Sequence, residues 1–105
     1  MPVAFEVIFT PAARAEVIGA QDWYEGEAAG LGRNFREAID ALTERLSSNP
    51  TQFPIIFKNV RRALVRRFPY ALFFVIAGDT LVVLACFHGS RDPLQWQRRT
   101  TQLQR

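Results

Sequence analysis

The chain predicts an α+β fold, and three observations carry that prediction. Residues 3–9 set large apolar side chains at every second position with Glu6 between them, as a half-buried strand does. Two stretches with helical spacing follow, with no strand between them. From residue 53 onward the pattern turns to short alternating or apolar runs punctuated by turn residues. The expected order is βααββββ: an N-terminal strand and an antiparallel helical hairpin packed on a mostly antiparallel sheet.

Each element has its own signature. Val3, Phe5, Val7 and Phe9 share one face of the first strand, with Glu6 on the other. Thr10-Pro11 supplies a helix cap and then a proline at the first helical position. The first helix runs to about Glu27 with a stripe of Ala13, Val17, Ala20 and Tyr24, and with Ile18 and Trp23 beside it. Three glycines between Gly26 and Gly32 break it. In the second helix Phe35, Ala38, Ile39, Leu42 and Leu46 fall on one face, and Ser47-Ser48-Asn49-Pro50 stops it. The short connection between these helices argues that they lie antiparallel.

The second half reads as strands. Residues 53–57 form a short one, which Pro54 confines to an edge. Residues 60–67 alternate, placing Arg62, Leu64 and Arg66 on one face and Ala63, Val65 and Arg67 on the other. Residues 70–77 and 81–88 are apolar at nearly every position and meet at Gly78-Asp79, a tight-turn pair. Strands of that kind are covered on both faces. One cover is the helical hairpin; the other is the tail, a partner or a second copy. Residues 95–105 are polar and basic apart from Trp96 and Leu103, and are expected to form a short helix or a loose tail.

At 105 residues the chain is expected to be one domain, 1–105, with a basic tail from about residue 95. A hydrophobic content of 49% excludes a disordered chain. No apolar run approaches the length of about 20 residues that spans a bilayer as a helix. Residues 1–6 lack a basic stretch leading into an apolar one, so no secretory signal is expected. The single cysteine, Cys86, excludes an intramolecular disulfide. It lies in an apolar strand and is expected to be packed and inert. Together these features predict a cytoplasmic protein with no membrane partner.

Charge is divided unevenly. Residues 1–57 hold four arginines against eight acids, a balance of −4, while residues 58–105 hold nine basic residues against Asp79 and Asp92, a balance of +7. Twelve of the thirteen basic residues are arginine, whose planar fork suits phosphate and carboxylate. The basic half therefore calls for an anionic partner or a solvated surface.

Among the residues that carry chemistry, metal binding finds no support, because one histidine and one cysteine without further ligand spacing do not make a site. No glycine loop cradles a phosphate, and no cofactor is expected. Ser90, His88 and Asp92 lie too close together in sequence to be a hydrolase triad assembled from separate segments. The stronger candidate is a cluster of Arg61, Arg62, Arg66, Arg67 and Arg91 around His88. Cleavage of RNA by its own 2′-hydroxyl needs a proton-transfer group active near neutrality and cations on the phosphate. His88 fits the first role, with Arg61, Arg66 and Arg91 in the second. The competing reading makes His88 a structural residue at a strand end, Arg62 and Arg66 a charged edge that blocks strand pairing, and Arg91-Asp92-Pro93 a salt-bridged turn. Trp96 reads as a lid over the sheet or as an interface anchor.

These residues also resemble a known family. Thr10-Pro11-Ala12-Ala13 opens the first helix, Leu31-Gly32-Arg33-Asn34-Phe35 opens the second and Asn49-Pro50 closes it. Val60-Arg61-Arg62-Ala63-Leu64-Val65-Arg66-Arg67-Phe68-Pro69-Tyr70 and His88-Gly89-Ser90-Arg91-Asp92-Pro93 with Trp96 complete the match. Over residues 3–98 the chain is similar to the RelE/ParE superfamily of toxins from type II toxin–antitoxin modules, in particular to the ParE, or plasmid-stabilisation, branch.

The resemblance implies a toxin that arrests bacterial growth and a cognate, ParD-like antitoxin encoded beside it, whose C-terminal segment wraps the toxin in a hetero-oligomer. ParE-like members inhibit DNA gyrase without being enzymes; RelE-like members are ribosome-dependent mRNA endonucleases. The nucleases carry lysines and arginines across the central strands and often a tyrosine or histidine near the C-terminus. This chain has one lysine, Lys58, and both tyrosines precede the last strand, which favours gyrase as the target and mRNA on the ribosome as the alternative. Target contacts are then expected at Arg62, Arg66, Arg91, Trp96, Arg98 and Arg99. Antitoxin contacts are expected at Trp23, Tyr24, Tyr70 and Phe74. Two apolar strands and a helical hairpin offer grooves for an amphipathic helix or an added strand.

Overall fold

The computed structural model describes residues 4–103, so the expectations for Val3 and for residues 104–105 lie outside the described residues. The elements are β1 (Glu6–Phe9), α1 (Pro11–Glu27), α2 (Leu31–Ser48), a 3₁₀ turn (Pro50–Gln52), β2 (Ile55–Phe57), β3 (Val60–Leu64), β4 (Tyr70–Ala77), β5 (Thr80–His88) and α3 (Pro93–Leu103). The α+β order inferred from the sequence is the observed one, with a third helix added.

The five strands form one sheet in the order β1-β5-β4-β3-β2. All neighbours are antiparallel except β1, which lies parallel to β5 with Val7 opposite Leu81. Parallel neighbours cannot be joined by a tight turn, and here all of the chain from α1 to β4 lies between the two strands. Thr10 joins β1 to α1 as foreseen. Its Oγ1 accepts the Ala13 N–H at 3.1 Å, and Pro11 follows at the first helical position.

The hairpin covers one face of the sheet. Ala13, Val17 and Ala20 of α1 meet Phe35, Ile39, Leu42 and Leu46 of α2 over Ala63, Leu72, Phe74, Leu81, Val83 and Cys86. Each large side chain fully buried here contributes roughly 1.5–3 kcal/mol. The helices pack tightly at Gly32, where an added Cβ would lie 2.7 Å from the Gln21 carbonyl oxygen and 2.9 Å from the Glu25 Cβ. The Glu25 carboxylate fastens the same corner by accepting the N–H groups of Gly30 and Gly32. Gly32→Ala is expected to destabilise by roughly 1–3 kcal/mol through overpacking, more than the ~1 kcal/mol of helix propensity it gains. Urea unfolding checks this, and an unchanged or raised midpoint contradicts it.

The other face is covered by the tail. Trp96 of α3 stacks on Phe73 at 4.8 Å with an interplanar angle of 15° and meets Phe57 edge-on at 5.7 Å. With Val60, Ala71, Leu84, Ala85 and Phe87 it forms a second core. The helix begins five residues after the end of β5, and Asp92 and Pro93 start it as Thr10 and Pro11 start α1: Asp92 Oδ1 accepts the Leu94 N–H at 3.0 Å.

Two strand boundaries differ from expectation. The strand expected over residues 53–57 begins at Ile55, because Pro50–Gln52 takes a 3₁₀ turn first. The strand expected over 60–67 ends at Leu64. The chain then turns so that the Val65 N–H reaches the Tyr70 carbonyl at 2.9 Å, with Arg67 at a φ of 70°. A positive φ on a residue other than glycine has no signature in an alternating pattern.

Candidate functional site

The turn at residues 65–69 decides how the arginines are distributed. Arg62 and Leu64 stay on the sheet face that α3 partly covers, whereas Arg66 and Arg67 swing towards α2. Arg62 and Arg66 therefore do not share the face that uninterrupted alternation would give them. Two grooves result, one on each side of the turn.

The first groove, of about 570 Å³, runs between α2 and the turn. Leu31, Ala38, Ala41, Leu42 and Phe68 form its apolar lining, while Arg45, Arg66 and Arg67 stand around it with Asn34 and Glu37. Beside it lies an aromatic cluster. Tyr24 meets Phe68 at 4.8 Å, Phe35 at 5.3 Å and Tyr70 at 6.1 Å, and Trp23 sits edge-on to Tyr24 at 5.1 Å. Trp23 is 59% exposed. Burial, and then the neighbouring Tyr70, hold the Tyr24 hydroxyl above the usual phenol range. Tyr70 is raised chiefly by burial and next by Cys86, with Arg91 acting in the opposite direction. Trp23, Tyr24 and Tyr70 thus fall in one aromatic cluster. Phe74 does not join them. It is fully buried against Phe53 at 6.0 Å, a core residue that no partner of the folded chain reaches.

The second groove, of about 360 Å³, lies on the opposite face, between β3, the end of β5 and α3. It gathers Arg62, Leu64, Phe73, Phe87, His88, Arg91 and Trp96. Arg91 lies over the Phe87 ring at 4.3 Å, and its Nε donates to Gln95 Oε1 at 2.9 Å. Asp92 caps α3, so the sequence Arg91-Asp92-Pro93 is a helix start and not the salt-bridged turn expected. His88 packs edge-on to Tyr70 at 5.3 Å. Its Nδ1 accepts the Ser90 N–H at 3.0 Å and lies 2.9 Å from the Ser90 hydroxyl. At the strand end His88 thus accepts from the turn that follows it.

The remaining cations are committed elsewhere. Arg61 belongs to neither groove. Its NH1 donates to the Phe53 carbonyl at 2.6 Å and to that of Thr51 at 3.3 Å, tying the 3₁₀ turn to β3. Arg61→Ala is expected to lose roughly 1–2 kcal/mol of stability, and a thermal midpoint equal to that of the wild type contradicts this role. Arg98 is exposed on α3. Arg99 is not a free target-facing cation: it forms a two-point ion pair with Glu16, at 2.7 and 3.0 Å. Trp96 is 5% exposed and seats α3, so it offers almost no surface to a target. The nuclease set of His88, Arg61, Arg66 and Arg91 is accordingly divided among three places, and only His88 and Arg91 share one.

Cys86 is buried, and burial followed by the nearby Glu16 carboxylate pushes its thiol up to about 12. A raised thiol stabilises the fold below its ordinary value of 9.0 and loses that contribution as pH climbs from there towards 12. The native thiol is therefore expected to resist alkylation at pH 8 and stability to fall above about pH 9. Labelling as fast as in the unfolded chain contradicts this. Among the described residues no three of His, Cys, Asp and Glu come together to hold a metal, and no helix is long and apolar enough to cross a membrane.

Comparison with known proteins fits this architecture. A family model described as the ParE toxin of the type II toxin–antitoxin system parDE matches residues 7–93. Toxin ParE2 of Mycobacterium tuberculosis is 29% identical over 63 residues, a match spanning 60% of this chain and 60% of that protein. Among solved structures, a chromosomal ParDE toxin–antitoxin system from P. aeruginosa superposes with a TM-score of 0.62 at 19% identity. It covers 81% of this chain and 96% of that one. The toxin–antitoxin complex RelBE2 from Mycobacterium tuberculosis gives 0.57 at 22% identity, over 84% and 94%. Both share the fold. With the family pattern extending from β1 to the start of α3, the chain belongs to the ParE toxin family of type II toxin–antitoxin systems.

Proposed function

We propose that the chain is the growth-arresting toxin of a type II toxin–antitoxin pair, that it acts on DNA gyrase as a protein inhibitor, and that a cognate antitoxin neutralises it. The observation that carries the choice of target is the division of the nuclease set. A phosphate-cleaving site needs its cations and its proton-transfer group around one atom. Here Arg61 is spent on the 3₁₀ turn, Arg66 lines the α2 groove, and the Nδ1 of His88 is held by the Ser90 turn. This reading places the site of action in the cytoplasm, with gyrase.

A second reading, a ribosome-dependent endoribonuclease, has one observation in its favour: Arg62, His88 and Arg91 share a groove with aromatic walls. Inducing the chain in bacteria separates the two. The gyrase reading expects linear plasmid to accumulate while translated messages stay intact in primer extension. New message ends that vanish in His88→Ala, with plasmid topology unchanged, would sink it.

The antitoxin is proposed to occupy the aromatic cluster and the α2 groove. Exposed Trp23 offers an anchor, and Arg45, Arg66 and Arg67 around an apolar lining suit an acidic amphipathic segment. Association is expected to slow roughly tenfold or more as salt rises from low to physiological strength. A salt-independent on-rate, followed by stopped-flow, contradicts the charge part of this proposal.

A further inference from the structure

Strand β5 is irregular where it faces α3. Its register with β4 shifts between Phe73 and Phe74: Phe73 lies opposite Ala85, and Phe74 opposite Val83. Leu84 is the extra residue, so Leu84 and Ala85 both fall in the second core. A bulge of this kind locally disrupts the ladder. Side chains from two helices bind the backbone around it. The Cys86 N–H donates to Glu16 Oε1 at 3.0 Å, and the Leu84 carbonyl accepts from Arg99 NH1 at 2.9 Å and, more loosely, from the Thr10 hydroxyl at 3.4 Å. Glu16 and Arg99 then pair with each other. Their side chains are only 17% and 25% exposed, so water supports this pair far less than it would a surface pair. The Arg99 guanidinium also lies over the Phe87 ring at 4.8 Å.

We infer that Glu16 and Arg99 form a latch that holds α3 across the second face of the sheet, and that opening the latch releases α3 as a unit while the rest of the fold stays closed. Among the described residues the helix has few other ties. It is 11 residues long, a length at which an isolated helix is marginal in water. Among its described side chains Trp96 alone is buried, and Leu94 is 53% exposed. Among its described side chains, Trp96 and Arg99, three residues apart on one side of the helix, attach it to the sheet and to α1. The first stacks on Phe73. The second requires Glu16 on α1 to be in place, because removing either partner leaves the other charge partly buried and uncompensated. The latch therefore links α1 to the wall of the second groove that Arg91 and Trp96 form. When α3 leaves, Phe73 and Phe87 lose their cover and the groove becomes an open aromatic face. This inference does not depend on which target the chain acts upon.

Native-state hydrogen exchange on the full chain tests it, with Trp96 emission read in a Trp23→Phe background. In Arg99→Ala and in Glu16→Gln the amides of α3 are expected to exchange at least ~10-fold faster, while those of α2 and β4 stay within about twofold. Trp96 emission should shift to the red in both. Glu16→Gln keeps an acceptor for the Cys86 N–H but removes the charge and the oxygen that accepts from Arg99 NH2, so it separates the latch from damage to the strand. Arg98→Ala, on the exposed side of the same helix, should leave α3 exchange unchanged. Unaltered α3 exchange in Arg99→Ala and Glu16→Gln would overturn the inference. So would an equal rise across α2, β4 and α3, or the same rise in Arg98→Ala.

Discussion

Replacing Phe74 by alanine is expected to lower stability by about 3–5 kcal/mol. The ring has no exposed surface and lies on β4 under both helices, with Phe53 set edge-on against it. Removing it leaves a cavity that Leu72 and Val83 on neighbouring backbone cannot fill without distorting the sheet. Proteins of this size are stable by roughly 5–15 kcal/mol in total, so the variant loses a large share of its margin. Chemical denaturation measures it; a loss under about 1 kcal/mol would show that the site collapses freely and that the packing described is wrong. Any weakening of antitoxin binding in this variant would follow from unfolding, whereas Trp23→Ala should weaken binding with the unfolding midpoint nearly unchanged.

The second large effect is expected at Trp96. Its indole stacks on Phe73 and meets Phe57 from the side. Trp96→Ala should cost about 3 kcal/mol or more, and the loss should fall on the second core before the first. Near-ultraviolet circular dichroism and exchange at α3 read this directly. The amides under the helical hairpin should remain protected under conditions where α3 has melted. Simultaneous loss of both cores would contradict the two-sided arrangement.

The residues made most of this fold legible because most of it rests on local chemistry. The stripes of α1 and α2, the caps at Thr10 and Asn49-Pro50 and the two apolar strands all appear where their periodicity places them. What was missed depends on contacts distant in sequence. The parallel pairing of β1 with β5 joins residues more than seventy positions apart. The turn at Arg66-Arg67 interrupts an alternation that shows no break until Phe68-Pro69, because the strained backbone belongs to an arginine. That one turn divides the arginine cluster between two grooves.

Other features were written in the chain and could have been read. Asp92-Pro93 repeats the grammar of Thr10-Pro11 and marks the start of α3. Glu16 sits three residues after Ala13 and four before Ala20, at the margin of a buried stripe, where a carboxylate calls for a partner. Its partner lies 83 residues away, so spacing alone could not identify Arg99.

Purified chain added to purified gyrase with supercoiled plasmid and ATP tests the central claim most directly. Linear plasmid should accumulate after detergent and protease treatment, in proportion to the chain added, and should disappear when the cognate antitoxin is premixed. Unimpaired supercoiling with no cleaved plasmid, at a molar excess of a chain that arrests growth when expressed, would contradict it.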